Sequence, residues 1–165
     1  MNTFSTHKDV TWLPETMSLD QQAEMTQSEV DRVLTSRETA VLSLARDNKP
    51  YAIPISYGYD TDTRRFAFRL VSTPDSEKRQ YLGSQPSGRL VVYTEDSPKY
   101  ESVVASGAIE EIPREELTPA RVKQYGGAKR PLFEMWAADP DALNIGLYEL
   151  DPTELTGRQI RINEE

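Results

Sequence analysis

Three side chains able to hold an anion fall close together near the middle of this chain. Arg69 ends an alternating segment, and Ser76 and Lys78 follow shortly after it. A guanidinium, a hydroxyl and an ammonium gathered at a helix start are the donors a phosphate needs. The first-turn amides there are unpaired and carry partial positive charge. The spacing leaves a second reading open, in which Asp75 and Glu77 complement the helix dipole while Lys78 and Arg79 stay solvated. A different kind of signal lies upstream, in Tyr51-Ala-Ile-Pro-Ile-Ser-Tyr-Gly-Tyr59. Its odd positions are large and its even positions small, the period-2 pattern of a strand with one bulky and one thin face. Pro54 has no amide to donate, so one side of that strand is predicted to be an edge or to face something other than protein.

Other chemistries find little support. The chain has no cysteine, which excludes disulfides, thiolate metal sites and thiol nucleophiles. Its one histidine, His7, lies in a polar N-terminal stretch, away from any serine pattern that would make a nucleophile and base. Glu110-Glu111 and Glu115-Glu116 read as solvated acids. Tyr57, Tyr59 and Tyr93 read first as packing residues with hydroxyls reaching water, Tyr57 and Tyr93 being the tyrosines to consider as proton donors. The net charge of −8 repels phosphate backbones, so nucleic acid is not an expected partner. No apolar run approaches membrane-spanning length and the N-terminus lacks a signal-peptide core, so the expected location is cytoplasmic and no membrane partner is expected.

The elements that must position these residues follow from pattern. Residues 1–24 are polar and unpatterned and are expected to form a flexible tail, with 25–165 a single domain. Thr26-Gln-Ser-Glu29 has the form of a capping box, followed by Val30, Val33 and Leu34 at helical spacing. Ala40–Ala45, Tyr51–Tyr59 and Arg65–Val71 read as strands, joined by the turn sequences Asp47-Asn-Lys-Pro50 and Asp60-Thr-Asp-Thr63. A short helix is predicted from Thr73 as N-cap and Pro74 as first residue to a stop at Gly83. Leu90–Thr94 and Val103–Ile112 read as further strands, with Gly107 marking a bulge. Thr118-Pro119 begins another helix that stops at Gly126-Gly127, and a segment with Pro131, Phe133 and Trp136 leads to a last strand over Ile145–Leu150. Hairpin-linked strands with interspersed helices predict an antiparallel α+β barrel, mainly β.

The words within this order carry a resemblance. Val41-Leu-Ser-Leu-Ala45, Pro50-Tyr-Ala-Ile-Pro-Ile-Ser-Tyr-Gly-Tyr-Asp60, Phe66-Ala-Phe68 and Ser76-Glu-Lys78 resemble the pyridoxamine 5′-phosphate oxidase-like flavoproteins, nearest their nitroimidazole-resistance branch. The likeness covers residues 26–112, with a weaker echo in Leu150-Asp-Pro-Thr-Glu-Leu-Thr-Gly-Arg158. It implies a six-stranded split β-barrel with short flanking helices, FMN as cofactor, and a homodimer with the flavins at its interface. By the same resemblance Pro54, Ile55 and Ser56 would run along the flavin ring. Arg69, Leu70, Val71, Ser76 and Lys78 would hold the phosphate, and Tyr93 would cover the flavin from a partner subunit.

The chain also departs from the family's vitamin-pathway oxidases. Glu77 stands where those enzymes carry a second basic residue beside the lysine, and no basic set for a substrate phosphate is evident. The resemblance therefore implies a flavin-dependent oxidoreductase acting on an unidentified small molecule, with a reduced nicotinamide as a candidate electron donor. Two other readings stay open: a flavin- or heme-binding module without turnover, and a cofactor-free dimeric relative.

Overall fold

The computed structural model describes residues 22–83, 86–96, 98–121, 123 and 144–161. It contains strands β1 (Gln22–Glu24), β2 (Thr39–Arg46), β3 (Lys49–Asp60), β4 (Arg65–Ser72), β5 (Ser87–Asp96), β6 (Lys99–Glu111) and β7 (Asn144–Arg161), and helices α1 (Gln27–Ser36) and α2 (Glu77–Leu82). The strands run in the order β1-β7-β4-β3-β2-β5-β6, and β6 also pairs with β7. That last pairing closes six antiparallel strands into a ring, leaving β1 as an addition beside the end of β7. The expected split barrel is therefore the observed fold.

Local chemistry explains the joints. The β2–β3 hairpin turns on Asp47 and Asn48, at φ 49° and 63°, the two left-handed residues of a tight hairpin turn. At the next hairpin, the Asp60 carboxylate accepts from the Asp62 amide at 2.9 Å and the Thr63 hydroxyl at 3.0 Å. The capping box at Thr26 is present: the Thr26 amide donates to Glu29 at 2.8 Å, and Glu29's own amide donates to the threonine hydroxyl. α1 buries Val30, Val33 and Leu34 against the barrel interior, which Leu42, Ile55, Tyr57, Phe66, Phe68, Leu90 and Leu150 fill. A further attachment is ionic. The Glu101 carboxylate on β6 is buried and receives both Arg32 from α1 and Lys99, the latter at 2.6 Å.

The structure differs from the pattern-based expectation in several places. Gln22–Glu24, the end of the expected tail, pairs with Arg158–Ile160 as β1, a contact too short to leave a periodic signature. α2 starts at Glu77 with Ser76 as N-cap, because Thr73 accepts the Ser76 amide at 3.1 Å and spends Pro74 and Asp75 on a turn. β7 runs far beyond Leu150, because pairing with β6 overrides its polar, proline-containing sequence. The side of β4 that carries Arg65 and Arg69 also buries Ala67 beneath Ile112, Leu117 and Leu147. Gly126-Gly127 and the Pro131–Trp136 segment lie outside the described residues.

The irregularity expected at Gly107 is present, as a register shift where Ser106 faces Glu154 and Gly107 faces Pro152. A Cβ at Gly107 would stand 2.0 Å from the Asp151 carbonyl oxygen, so the β6–β7 closure requires glycine there. Gly107→Ala is expected to lower unfolding free energy by about 1–3 kcal/mol in urea titrations. Gly83→Ala, whose new methyl would meet only the Arg79 carbonyl at 3.6 Å, should stay within roughly 0.5 kcal/mol. Equal effects would contradict the packing argument. Glu101 makes a second prediction. Burial pushes its carboxyl upward, but hydrogen bonds from Lys99 and Arg32 and their charges outweigh this and hold it below its ordinary 4.5. A carboxyl lowered in the folded state adds stability above its unfolded value, and that stability is lost as pH falls through the folded value. Glu101→Gln should therefore be less stable at neutral pH and lose less on acidification below 4.5 than the parent chain. Parallel denaturation midpoints for the two proteins across that range would disprove the assignment.

Candidate functional site

β3 changes its company along its length. From Lys49 to Ser56 it pairs with β2, and from Tyr57 to Asp60 with β4. The Tyr57 amide donates to the Glu38 carbonyl at 3.0 Å, on the β2 side. Amides alternate along an extended strand, so Tyr51, Ile53 and Ile55 also point to β2, whereas Ala52 and Pro54 point to the opposite side. Among the described residues, no strand pairs with that side upstream of Tyr57. Pro54 thus lacks an amide where no ladder bond is available, which is how a proline is accommodated in the middle of a long strand. The thin face is also real: Ala52 and Pro54 are exposed, while Ile55 and Tyr57 are buried in the core.

The seam between β3 and β4 opens beyond the Tyr57–Phe68 pair, while β4 stays on β7 as far as Ser72. α2 lies across the open end. Tyr81 stacks on Tyr51 with ring centroids 4.9 Å apart, and Arg46 at the end of β2 donates to the Gln80 carbonyl at 2.6 Å. Lys78 is buried, 8% exposed, and its Nζ donates to the Val71 carbonyl at 2.7 Å. Ser76 at the head of α2 makes no side-chain cap bond, and its hydroxyl is buried with no partner. The Ser56 hydroxyl, where the seam starts to open, is likewise buried and unpartnered.

The structure brings the residues expected from sequence into two groups. Val71, Ser76 and Lys78 meet at the end of β4 and the start of α2, with Arg69 two residues upstream on β4 and half-buried. Leu70 points into the core at 2% exposure and Ile55 at 1%, so these two can offer a ligand only backbone. Pro54 and Tyr93 line a second feature, an outward groove of about 380 Å³ shared with Val41 and Val91. It lies where β2 and β5 part, since those strands pair only over Val41–Leu44. Tyr93 is 57% exposed, an unusual position for so large a ring.

Tyr57 is not available as a proton donor. Its hydroxyl donates to the Leu34 carbonyl at 2.8 Å, and burial pushes its pKa well above the ordinary tyrosine value despite the charge of Arg37. Sequence reasoning passed over Arg37 altogether. It caps α1, and its guanidinium reaches across the β2–β5 opening to Asp96. No local pattern announces a pair so far apart in sequence. Among the described residues there is no group of acids or histidines that could hold a metal ion, and no helix long and apolar enough to cross a membrane.

Several solved structures share this architecture. An FAD-binding protein from Mesorhizobium loti aligns over 86% of this chain and 98% of its own, with 19% identity and a TM-score of 0.63. A candidate 5-nitroimidazole antibiotic resistance protein from Bacteroides thetaiotaomicron aligns over 87% and 91%, with 15% identity and a TM-score of 0.59. The FAD and heme binding protein of Mycobacterium smegmatis aligns over 87% of this chain and 74% of its own, with 16% identity and a TM-score of 0.58. At these identities the likeness establishes the fold. No curated protein matches the chain in sequence. The family model described as pyridoxamine 5′-phosphate oxidase matches residues 26–159, which takes in α1, the barrel ring but for the last two residues of β7, and both groups of site residues. The chain belongs to the pyridoxamine 5′-phosphate oxidase family.

Proposed function

We propose that this protein binds a flavin, FMN in the first instance, and acts as a flavin-dependent oxidoreductase on a small molecule. The observation that carries the reading is the opened β3–β4 seam. It has a one-sided strand along one lip, a buried lysine at its far end, and two buried hydroxyls that lack partners. An unpaired buried hydroxyl costs about 1–3 kcal/mol, a cost that a ligand offering hydrogen-bond partners removes. Val71 lies three residues beyond Phe68, about 10 Å along the strand, so the two ends of the seam are separated by a distance a flavin's ribityl chain can bridge.

In this reading Lys78 and Ser76 hold the phosphate, with Arg69 contributing charge, and the backbone of Pro54 to Ser56 borders the ring. A bound flavin supplies the two-electron chemistry; the protein orients it and sets its surroundings. The exposed groove of Pro54, Val41, Val91 and Tyr93 supports a homodimer, because a second copy covering it would remove apolar surface from water and bring Tyr93 over its partner's cofactor. A reduced nicotinamide is the electron donor to try first. FAD is the second cofactor to test, on the strength of the FAD-binding neighbours.

The first measurement is the absorption spectrum of the purified protein, followed by release and identification of any bound chromophore. Flavin bands are expected; a colourless protein that ignores added FMN and FAD overturns the proposal. Lys78→Ala should weaken FMN binding by about tenfold or more through loss of a charge-assisted contact. Unchanged affinity would remove Lys78 from the phosphate site. Ser56→Ala and Ser76→Ala separate cost from use. Without cofactor each should be neutral or slightly stabilising in thermal melts, because the deleted hydroxyl has no partner to lose. With FMN present each should reduce the stabilisation that the cofactor confers, and a loss of equal size in both states would assign the hydroxyls to the fold instead.

A further inference from the structure

A further cleft belongs to neither group of residues described above. It encloses about 780 Å³ between the C-terminal end of α1, the Tyr57–Asp60 end of β3 and the segment bearing Lys123. That volume suits a small-molecule ligand. Gly58 lies on the thin side of β3 and forms part of the wall, so it places no side chain of its own between a flat group and the backbone.

The charges around the cleft are unequally committed. Arg65 is held by Glu149 and Asp151, each at 2.9 Å, which neutralises the acid nearest to it. Asp60 turns its carboxylate to the hairpin. Arg37 presents more donors than its pairing with Asp96 uses, and its Nε is buried with no acceptor. Lys123 is exposed on another wall. Glu38 and Asp62 also line the cleft, and Arg121 is paired with Glu116 at 3.7 Å, so the site sets Arg37, held by Asp96, and Lys123 beside a glycine in a wall that carries both signs of charge.

We propose that this cleft binds a small planar molecule carrying a single carboxylate. An anion beside Arg37 supplies the acceptor that its guanidinium lacks, and Lys123 adds a second positive charge. Because β3 runs directly from Ser56 to Gly58, the cleft begins where the proposed flavin edge ends. Its role as the seat of the electron acceptor rests on the flavin reading, whereas its preference for a carboxylate does not.

Benzoate and its uncharged isostere benzamide are the probes, titrated into the full chain as purified, with binding followed by calorimetry. Benzoate should bind, and benzamide should bind roughly tenfold more weakly or worse. Arg37→Gln and Lys123→Ala should each narrow that difference, and Gly58→Val should weaken both ligands by occupying the wall. Asp96→Asn, which breaks the ion pair and leaves the guanidinium, should retain the preference for benzoate. If Arg37→Gln does not fold, Lys123→Ala and Gly58→Val still decide the matter from exposed or backbone-lined positions. No heat with benzoate, equal affinity for the two probes, or binding indifferent to Lys123 and Gly58 overturns the proposal. The heat reports on the cleft whether or not the protein carries flavin, so its failure and that of the flavin reading are seen separately.

Discussion

The closure of the ring on β7 is the constraint from which the rest of the structure follows. That strand pairs with β4 over Asn144–Leu150 and with β6 over Tyr148–Arg161, so for a short stretch it is bonded on both sides and binds the two ends of the sheet together. β4 is thereby fixed to β7 as far as Ser72 and cannot follow β3 away. β3 in turn is fixed to β2 from Lys49 to Ser56 by a tight hairpin. Two well-paired units that diverge must part somewhere, and they part where β3 meets β4. The same logic operates on the other side of the hairpin, where β2 and β5 stay together only over Val41–Leu44. Both openings flank the β2–β3 hairpin. The residues proposed for the flavin and for a second copy collect there, where the strands lose their ladder pairing.

Sequence made the paired parts legible and the partings much less so. Alternation in Tyr51–Tyr59 and Arg65–Val71 reflects burial on one face, a property each strand carries by itself. The capping box at Thr26–Glu29 and the left-handed turn at Asp47-Asn48 are also local, and both could be read directly. β7 could not, because its residues after Leu150 are polar and include Pro152. Only the presence of β6 alongside makes them a strand. The ion pairs Arg37–Asp96 and Arg32–Glu101 join positions that nothing in the order of residues associates.

The candidate site divides along the same line. The spacing of Lys78 from the preceding strand brings its Nζ to the Val71 carbonyl, even though the helix begins later than Thr73 and Pro74 suggested. The small residues opposite Ile53, Ile55 and Tyr57 were legible as a thin face. What they adjoin was not, since the loss of a neighbour beyond Tyr57 is a property of two strands at once. The side chains of Ile55 and Leu70 are in the core, so only their backbone can take part in binding.

The physical state of α2 joins stability to the proposed function. Six residues are too few to hold a helix in water, because nucleation is unfavourable and few internal bonds repay it. α2 persists through contacts made elsewhere: Tyr81 on Tyr51, the Gln80 carbonyl with Arg46, and Lys78 with Val71. Lys78 is also a cation largely removed from water, an arrangement that costs free energy unless negative charge or dipoles compensate it. A phosphate bound beside Lys78 and Ser76 would compensate that charge and tie α2 to the end of β4 at the same time. Any ligand that binds the folded chain alone shifts folding in its favour. Here the shift would fall on α2, so the order of that helix and the occupancy of the seam would be linked.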